Sequence, residues 1–274
     1  MSIPETVTSL SGSVFDRTLN LKQVELPSKL ISLGTYVFHH CRYKLKSITI
    51  PDSVTSLGNY GISNNYILTK VVFGNNLTSL SPHMFDYSII LQTVILGKKL
   101  TTISDYAFEK TNNLKSITIP SEITSLSLGD YIFQYSGLTT LKILGNTQFT
   151  CSTNSFTGSK LTTFYVTPKY QQSTGTVTIC SKTINIIPSI SSGECGEGCE
   201  WFISNDGKLF IHGNGEISSF NTNEMNEEGI TEIIIEEGIT KINKNIFDTF
   251  VNTKSISIPS SITTIDLQIG RAHV

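Results

Sequence analysis

The chain has 274 residues, of which 38% are hydrophobic and 15% are charged, so it can bury a sizeable core and differs from disordered segments. Its formal net charge is −2 and its isoelectric point is near 6.2, which creates no field that would concentrate phosphates or anionic lipids. Nucleic acids are therefore excluded as default partners. The sequence contains no run of 18 apolar residues, so we expect no direct membrane insertion.

The segment 1–168 repeats with a period of about 23 residues, which predicts about seven stacked coils. Each coil carries one anchor residue, and the anchors are Phe15, Phe38, Ile62, Phe85, Phe108, Phe133 and Phe156. A cluster of the form L-x-x-[VILF]-x-[ILVF] follows each anchor, first at Leu21 and last at Leu161. A phrase close to V-T-S-L, such as residues 54–57, precedes the next anchor.

Alternating residues in each V-x-I phrase predict a short strand with one face inward, and Pro51 or Gly97 at such a phrase's end indicates a turn. Residues before an anchor, such as 104–108, can form one helical turn. A single coil cannot bury its apolar face alone, so neighbouring coils must stack. The predicted fold class is a repeat solenoid, with a parallel β-sheet on one flank and short turns or single helical turns opposite.

The second copy of the repeat, residues 33–51, reads L-G-T-Y-V-F-H-H-C-R-Y-K-L-K-S-I-T-I-P. It resembles the repeat of the BspA-like leucine-rich repeat family, and Cys41 falls where that family often has a buried cysteine. The resemblance covers residues 1 to about 168 and 229 to 268. Other coils depart from it, since Ile62 replaces phenylalanine and later coils lack the cysteine. The resemblance implies a leucine-rich repeat fold and a surface antigen or adhesin.

The period is lost between about residues 168 and 229. The stretch 169–199 is rich in Gly, Ser and Thr, so we expect a linker or boundary. In the segment 200–228, alternating residues surround Asn205, Asp206 and Gly207, which tolerate positive φ and predict a β-hairpin that interrupts the solenoid. The phrase C-G-x-x-x-x-W-x-I-x-x-D-G-x-L also resembles the family's module that introduces a new block of repeats. We therefore expect the hairpin to cap a second block.

Repeats resume in the segment 229–268 with the same register, because Ile233 and Ile256, like Ile242 and Ile265, are 23 residues apart. This second leucine-rich repeat block is expected to be truncated. The last six residues, 269–274, look like the translation of a sequencing-library adapter, so we exclude them from the fold. The chain's beginning shows no signal peptide, and the true N-terminus is expected to lie further upstream.

Catalytic, cofactor and metal sites are not predicted. None of the five histidines lies in a motif with a nucleophile or metal partner, and His39 and His40 fall in a turn where exposed polar residues are expected. The glycines at 213–215 lack the setting of a phosphate loop, and the acidic residues at 227–237 lack the pattern of a calcium loop. An enzyme would need the insertion's Cys195, Cys199, Asp206 and His212, which have no recognised arrangement. We expect a protein that is not an enzyme.

The five cysteines include no C-x-x-C pair, which disfavours zinc. Cys195 and Cys199 can close a small disulfide loop if the protein is extracellular, or remain free thiols, and the sequence leaves both alternatives open. Asn76 begins an N-glycosylation sequon with Thr78, which is usable only in a secreted protein.

The outward positions of the V-x-I phrases form the candidate binding face. Its fourteen residues are Gln23, Glu25, Ser47, Thr49, Lys70, Val72, Thr93, Ile95, Ser116, Thr118, Thr140, Lys142, Thr163 and Tyr165. Ser and Thr dominate this face around an apolar patch at Val72 and Ile95, which suits a protein or glycan ligand on a host or neighbouring cell. With the family resemblance, this predicts a non-catalytic binding protein that is secreted or on the cell surface. The alternative is a cytoplasmic scaffold for protein–protein interaction.

Overall fold

The computed structural model describes residues 2–172, 174–220, 225 and 227–266. The chain forms two compact units, the first made of Met1–Phe164 and Gln172–Ile186, the second of Tyr165–Gln171 and Ile187–Val274. The segment 269–274, predicted to be an adapter translation, lies outside the described residues. The predicted block limits at 168, 199 and 228 stay predictions.

Short parallel strands build the first unit. In chain order they are β1 (Ser9–Leu10), β2 (Ser32–Leu33), β3 (Ser47–Thr49), β4 (Ser56–Leu57), β5 (Lys70–Val72), β6 (Ser79–Leu80), β7 (Thr93–Ile95), β8 (Thr102–Ile103), β9 (Ser116–Ile119), β10 (Ser125–Leu128), β11 (Thr140–Ile143), β12 (Gln148–Cys151) and β13 (Thr163–Val166). The V-x-I phrases form the orders β3-β5-β7 and β9-β11-β13, whereas the T-S-L phrases form β1-β2-β4 and β6-β8-β10-β12. The predicted parallel sheet is confirmed, and a second set of strands accompanies it.

The register between coils equals the repeat period. Ser47 pairs with Lys70 and Lys70 with Thr93, each 23 residues on, whereas Ser116 pairs with Thr140, 24 residues on. Equivalent residues of successive coils therefore lie one above another. Close approach of the coils explains Gly58, because a Cβ atom there would collide with the backbone nitrogen of Thr35.

The turn before each anchor is not helical. At residues 104–108, Tyr106 has a φ of 55°, which lies in the left-handed region and breaks a right-handed helical turn. The backbone N–H of Ala107 donates to the carbonyl of Ser104, and the N–H of Tyr106 donates across to Asp130 of the next coil. Successive tight turns thus replace the helical turn that 104–108 could have formed.

The seven predicted anchors are all buried and form the centre of the first unit. Phe38, Phe85 and Phe108 are 0% exposed, and Ile62 is 1% exposed. The anchor rings stack from coil to coil, with centroids 5.2 Å apart for Phe85 and Phe108 and 5.3 Å apart for Phe108 and Phe133. The stack is interrupted at Ile62, so Phe15 and Phe38 form one aromatic pair, and a longer aromatic stack consists of Phe85, Phe108, Phe133 and Phe156.

The stretch predicted as a linker contains regular strands. Strand β14 (Gly175–Ile179) pairs antiparallel with the start of the long strand β15 (Lys182–Gly196). Polar and apolar residues alternate in T-V-T-I and T-I-N-I-I. The serine and glycine residues in the second half of β15 do not show this alternation, so the sequence there does not reveal a strand. The backbone N–H of Asn185 donates to the carbonyl of Thr162, which extends the ladder of the first unit.

The second unit contains the predicted hairpin and resumes the repeats. Its further strands are β16 (Cys199–Ser204), β17 (Lys208–Gly213), β18 (Gly215–Ile217), β19 (Glu232–Ile235), β20 (Ile239–Ile242), β21 (Ser255–Ser257) and β22 (Thr264–Ile265), with a 3-10 helix at Glu227–Gly229. Strands β16 and β17 pair antiparallel around Gly207, whose φ is 78°, so the hairpin is confirmed. The parallel orders β17-β19-β21 and β18-β20-β22 continue the solenoid pattern, over a core that includes Trp201.

Candidate functional site

The candidate binding face is unevenly accessible. Four of its side chains are exposed, namely Gln23, Glu25, Ser47 and Thr49. Seven are half-buried, namely Lys70, Val72, Thr93, Ser116, Thr140, Thr163 and Tyr165. The exposed part of the face is therefore polar and lies in the first coils, up to strand β3.

The prediction that the whole face is accessible is wrong for Ile95, Thr118 and Lys142, which are only 4%, 4% and 6% exposed. Ile95 pairs with Val72, and Thr118 pairs with Lys142, so each side chain packs beside a neighbour from an adjoining coil. Strand alternation sets the direction of a side chain, but its neighbours decide whether solvent reaches it. The predicted apolar patch is thus reduced to the half-buried Val72.

Replacing Lys142 with methionine should remove a pH-dependent cost of folding. Burial lowers the pKa of the Lys142 ammonium to about 7, whereas an unfolded lysine titrates near 10.4. Between these values the unfolded chain binds more protons at this position than the folded chain, so stability rises with pH. The melting temperature of the wild type should therefore rise relative to that of Lys142→Met from about pH 7 to about pH 10. Thermal unfolding followed by circular dichroism tests this, and a pH-independent difference would contradict it.

A second surface feature, which the sequence analysis did not predict, is a column of stacked rings in the first unit. This aromatic column consists of Tyr36, Tyr60, His83, Tyr106 and Tyr131, each two residues before an anchor. Neighbouring ring centroids lie 4.5 to 5.2 Å apart, and neighbouring planes are within 18° of parallel. Tyr36 is exposed and the other four rings are half-buried, so the column presents ring edges and polar tips to solvent.

Each residue of the aromatic column adopts a left-handed backbone. The five φ values lie between 54° and 59°. Residues with a bulky side chain adopt this left-handed region only at a cost in conformational energy, whereas glycine adopts it freely. The residue two positions after an anchor is also left-handed in several coils, including His40 and Lys110. This alternation of left-handed residues with the anchor between them places the anchor side chain inward and the column side chain outward. The Y-x-F spacing, combined with the repeat period, is the sequence signal that could have revealed the column.

Two clusters of ionisable side chains lie at the column, although no metal ligands were predicted. The first cluster consists of Asp16, His39 and His40. The second consists of Asp86, Glu109 and the column residue His83, and within each cluster the potential ligand atoms are at most 4.8 Å apart. In the first cluster, His39 Nδ1 lies 2.9 Å from Asp16 Oδ1 in a hydrogen bond. His39 and His40 are half-buried, not freely exposed as the sequence suggested.

The ionisable residues of the insertion do not converge. Asp206 lies in the hairpin turn, whereas His212 lies at the other end of strand β17 and forms a 2.8 Å contact between its Nδ1 and Glu236 Oε2. Cys195 and Cys199 are joined to each other. This arrangement gives the enzyme alternative no support.

Two disulfides cross-link the chain. Cys195 and Cys199 form one, with Cα atoms 5.0 Å apart, which is the first of the two alternatives left open by the sequence. Cys151 and Cys180 form the other, with Cα atoms 5.7 Å apart, and this pair was not foreseen. Cys41 is a buried free thiol whose Sγ donates to the carbonyl of Phe15, and burial raises its pKa to about 11.

The predicted glycosylation residue, Asn76, is engaged in hydrogen bonds. Its Nδ2 donates to the backbone carbonyl of Asp52 at 2.9 Å, and its Oδ1 accepts from Lys99 Nζ at 2.8 Å. Glycan attachment at Nδ2 would have to disturb the first bond. Glycosylation of Asn76 stays a prediction.

The parallel ladders, the leucine-lined coils and the 23- to 25-residue register define a leucine-rich repeat solenoid. The family model for the BspA type leucine rich repeat region matches six copies, within residues 1–104, 63–183 and 211–269. The chain therefore belongs to the BspA-type leucine-rich repeat family. No helix among the described residues combines the length and apolarity needed to cross a membrane.

Three solved leucine-rich repeat proteins are similar to the chain at 18% identity. The match to the protein from Bacteroides ovatus has a TM-score of 0.43 and covers 97% of this chain and 68% of that chain. For the protein from Eubacterium ventriosum the values are 0.41, 81% and 50%. For a leucine rich cell surface protein from Faecalibacterium prausnitzii they are 0.38, 97% and 64%. The chain thus spans half to about two thirds of these proteins. No curated protein matches it.

Proposed function

We propose that this chain is a non-catalytic, protein-binding segment of a leucine-rich repeat protein. The observation that carries the proposal is the aromatic column, which concentrates four tyrosines and one histidine in a single accessible strip. Tyrosine is enriched at the energetic centres of protein interfaces, because one side chain offers a large rigid apolar surface and a polar tip.

The stacking geometry favours a protein ligand over a glycan. A sugar ring packs against the face of an aromatic ring, but the faces within the column lie against each other at 4.5 to 5.2 Å. The edges and hydroxyl groups that remain can donate and accept hydrogen bonds with a polypeptide. The exposed polar residues of the candidate binding face, such as Ser47 and Thr49, are a separate surface that a ligand could use instead.

We propose further that the protein is secreted or displayed on the cell surface. The pairs Cys151–Cys180 and Cys195–Cys199 support this location, because stable disulfides form in oxidising compartments and are rare in the cytosol. A cytoplasmic scaffold is the alternative that reduced thiols at these positions would favour. Labelling intact source cells with a membrane-impermeant reagent tests the location. Protection of the chain until lysis would contradict a surface position.

Shortening a side chain of the aromatic column should weaken ligand binding. The ligand can be captured from biotinylated surface proteins of cells that adjoin the source organism, and its affinity for each variant can then be measured. Tyr60→Ala and Tyr106→Ala should each reduce the affinity of the captured protein by at least about tenfold, the effect of losing a central interface tyrosine. Tyr43→Ala is the matched control, because Tyr43 is 57% exposed and lies outside the column. Circular dichroism must show that all three variants are folded.

Two outcomes would count against this assignment. Loss of binding in Thr49→Lys, with full binding in both column variants, would place the ligand on the candidate binding face alone. Binding to a glycan array that the column variants abolish, with no protein captured, would contradict the protein ligand.

A further inference from the structure

Two carboxylates of successive coils lie next to each other in a poorly solvated position beside the aromatic column. Asp86 and Glu109 each follow an anchor directly, and each residue is 9% exposed. Burial, together with the nearby charge of Glu109, raises the pKa of Asp86 to about 6. Two buried like charges disfavour the folded chain unless cations compensate for both, and the nearby ammonium of Lys110 is paired with Glu109.

His83 completes this cluster and leaves it with unsatisfied atoms. Asp86 Oδ1 and His83 Nδ1 are both buried without a hydrogen-bond partner. His83 Nδ1 lies 3.8 Å from Asp86 Oδ2, which is too long for a hydrogen bond. It is close to the separation of about 3.4 Å between two ligands of a tetrahedral ion with bonds of about 2.1 Å. A bound ion is one of the groups that can satisfy buried atoms left without a partner in this way.

We propose that His83, Asp86 and Glu109 bind a divalent transition-metal ion, with zinc or manganese as the best matches. One imidazole nitrogen and two carboxylate oxygens suit these ions, and water can fill the remaining positions. The three potential ligand atoms lie within 4.8 Å of one another, so side-chain rotation alone can close the site. Such an ion would satisfy Asp86 Oδ1 or Oδ2 and His83 Nδ1 together and would neutralise the paired carboxylates.

Neighbouring residues orient the three ligands. The imidazole of His83 is stacked between the rings of Tyr60 and Tyr106, at centroid distances of 4.5 and 4.9 Å, which fixes its plane. Lys110 Nζ lies 2.6 Å from Glu109 Oε1 and 3.9 Å from the ring centre of Tyr87. Lys110 therefore holds Glu109 through one oxygen and leaves the other oxygen for the ion. Its charge compensates Glu109, but Asp86 Oδ1 stays without a hydrogen bond.

The cluster of Asp16, His39 and His40 is a poorer site. His39 Nδ1 already bonds to Asp16 Oδ1, and Asn64 Nδ2 lies 3.4 Å from His39 Nε2. Burial lowers the pKa of His40, and the charges of His39, Arg42 and Arg17 lower it as well. Two arginine charges therefore oppose a divalent cation here, whereas Lys110 alone does so beside His83. This cluster therefore serves as an internal comparison.

Isothermal titration of the metal-stripped full chain with Zn²⁺ or Mn²⁺ tests the proposal. We expect one ion per chain for at least one of these metals, and a higher melting temperature in its presence. His83→Phe preserves the ring stack but removes the ligand nitrogen, and Asp86→Asn and Glu109→Gln preserve side-chain shape. Each should weaken binding by at least about tenfold. His39→Phe, at the comparison cluster, should bind as the wild type does.

Absence of binding of both ions at millimolar concentration would overturn the proposal. So would unchanged affinity in folded His83→Phe, whatever the affinity of His39→Phe. If Asp86→Asn unfolds, Glu109→Gln and His83→Phe still decide the question. The visible absorption of bound Co²⁺ gives a second readout, because its bands should disappear in His83→Phe and persist in His39→Phe.

Discussion

Phe108→Ala should lower the free energy of unfolding by about 3–5 kcal/mol. The Phe108 ring is completely buried and stacks on Phe85 at 5.2 Å and on Phe133 at 5.3 Å. Its removal leaves a cavity in one coil and also deprives both adjoining coils of a packing partner. Because each coil of a solenoid is stabilised only by its neighbours, a central defect weakens coupling in both directions. Urea unfolding followed by far-ultraviolet circular dichroism measures the loss.

The matched control is Ile89→Ala, since Ile89 is 40% exposed. We expect it to change the free energy of unfolding by no more than about 0.5 kcal/mol. Trp201 is buried in the core of the second unit, so its fluorescence reports on that unit. The circular dichroism transition should therefore shift more than the fluorescence transition in Phe108→Ala. If Phe108→Ala were as stable as Ile89→Ala, the stacked anchor side chains would not be the source of stability in the first unit.

The fold was predictable where a residue type is tied to burial at a fixed spacing. Phe38, Phe85 and Phe108 recur at the repeat period because each coil must bury one large side chain, and this alone predicts stacked coils. The strands of the T-S-L phrases were missed because a strand as short as Ser32–Leu33 contains no measurable alternation. The hairpin at Gly207 was predictable because its turn demands a positive φ.

The candidate site was less predictable, because it depends on distances between coils. Tyr106 is visible in the sequence, but its outward position follows from a left-handed φ that hydrophobic periodicity does not encode. Lys142 was correctly assigned to an outward strand position, yet packing against adjoining coils buries it. The unpaired atoms of His83 and Asp86 become evident only when the coils are stacked in register. The pairing of Cys151 with Cys180 likewise requires the path of the chain between them.

Removing the disulfide between Cys151 and Cys180 should lower the free energy of unfolding by about 3–4 kcal/mol. The two residues are 29 positions apart, and the cost arises because the open chain regains conformational entropy when it unfolds. Both cysteines are half-buried, so the double substitution Cys151→Ala and Cys180→Ala leaves little cavity. Urea unfolding of the oxidised proteins measures the difference.

The second disulfide provides the internal control. Cys195 and Cys199 are only four positions apart, so their loop entropy accounts for about 2 kcal/mol. Titration of the unfolded wild type should find a single reactive thiol, that of Cys41. Three or five reactive thiols in protein taken directly from source cells would mean that one or both pairs are reduced there. If all five thiols react, the double alanine variant and the native protein should be about equally stable, and the cytoplasmic scaffold would become the better explanation of this chain.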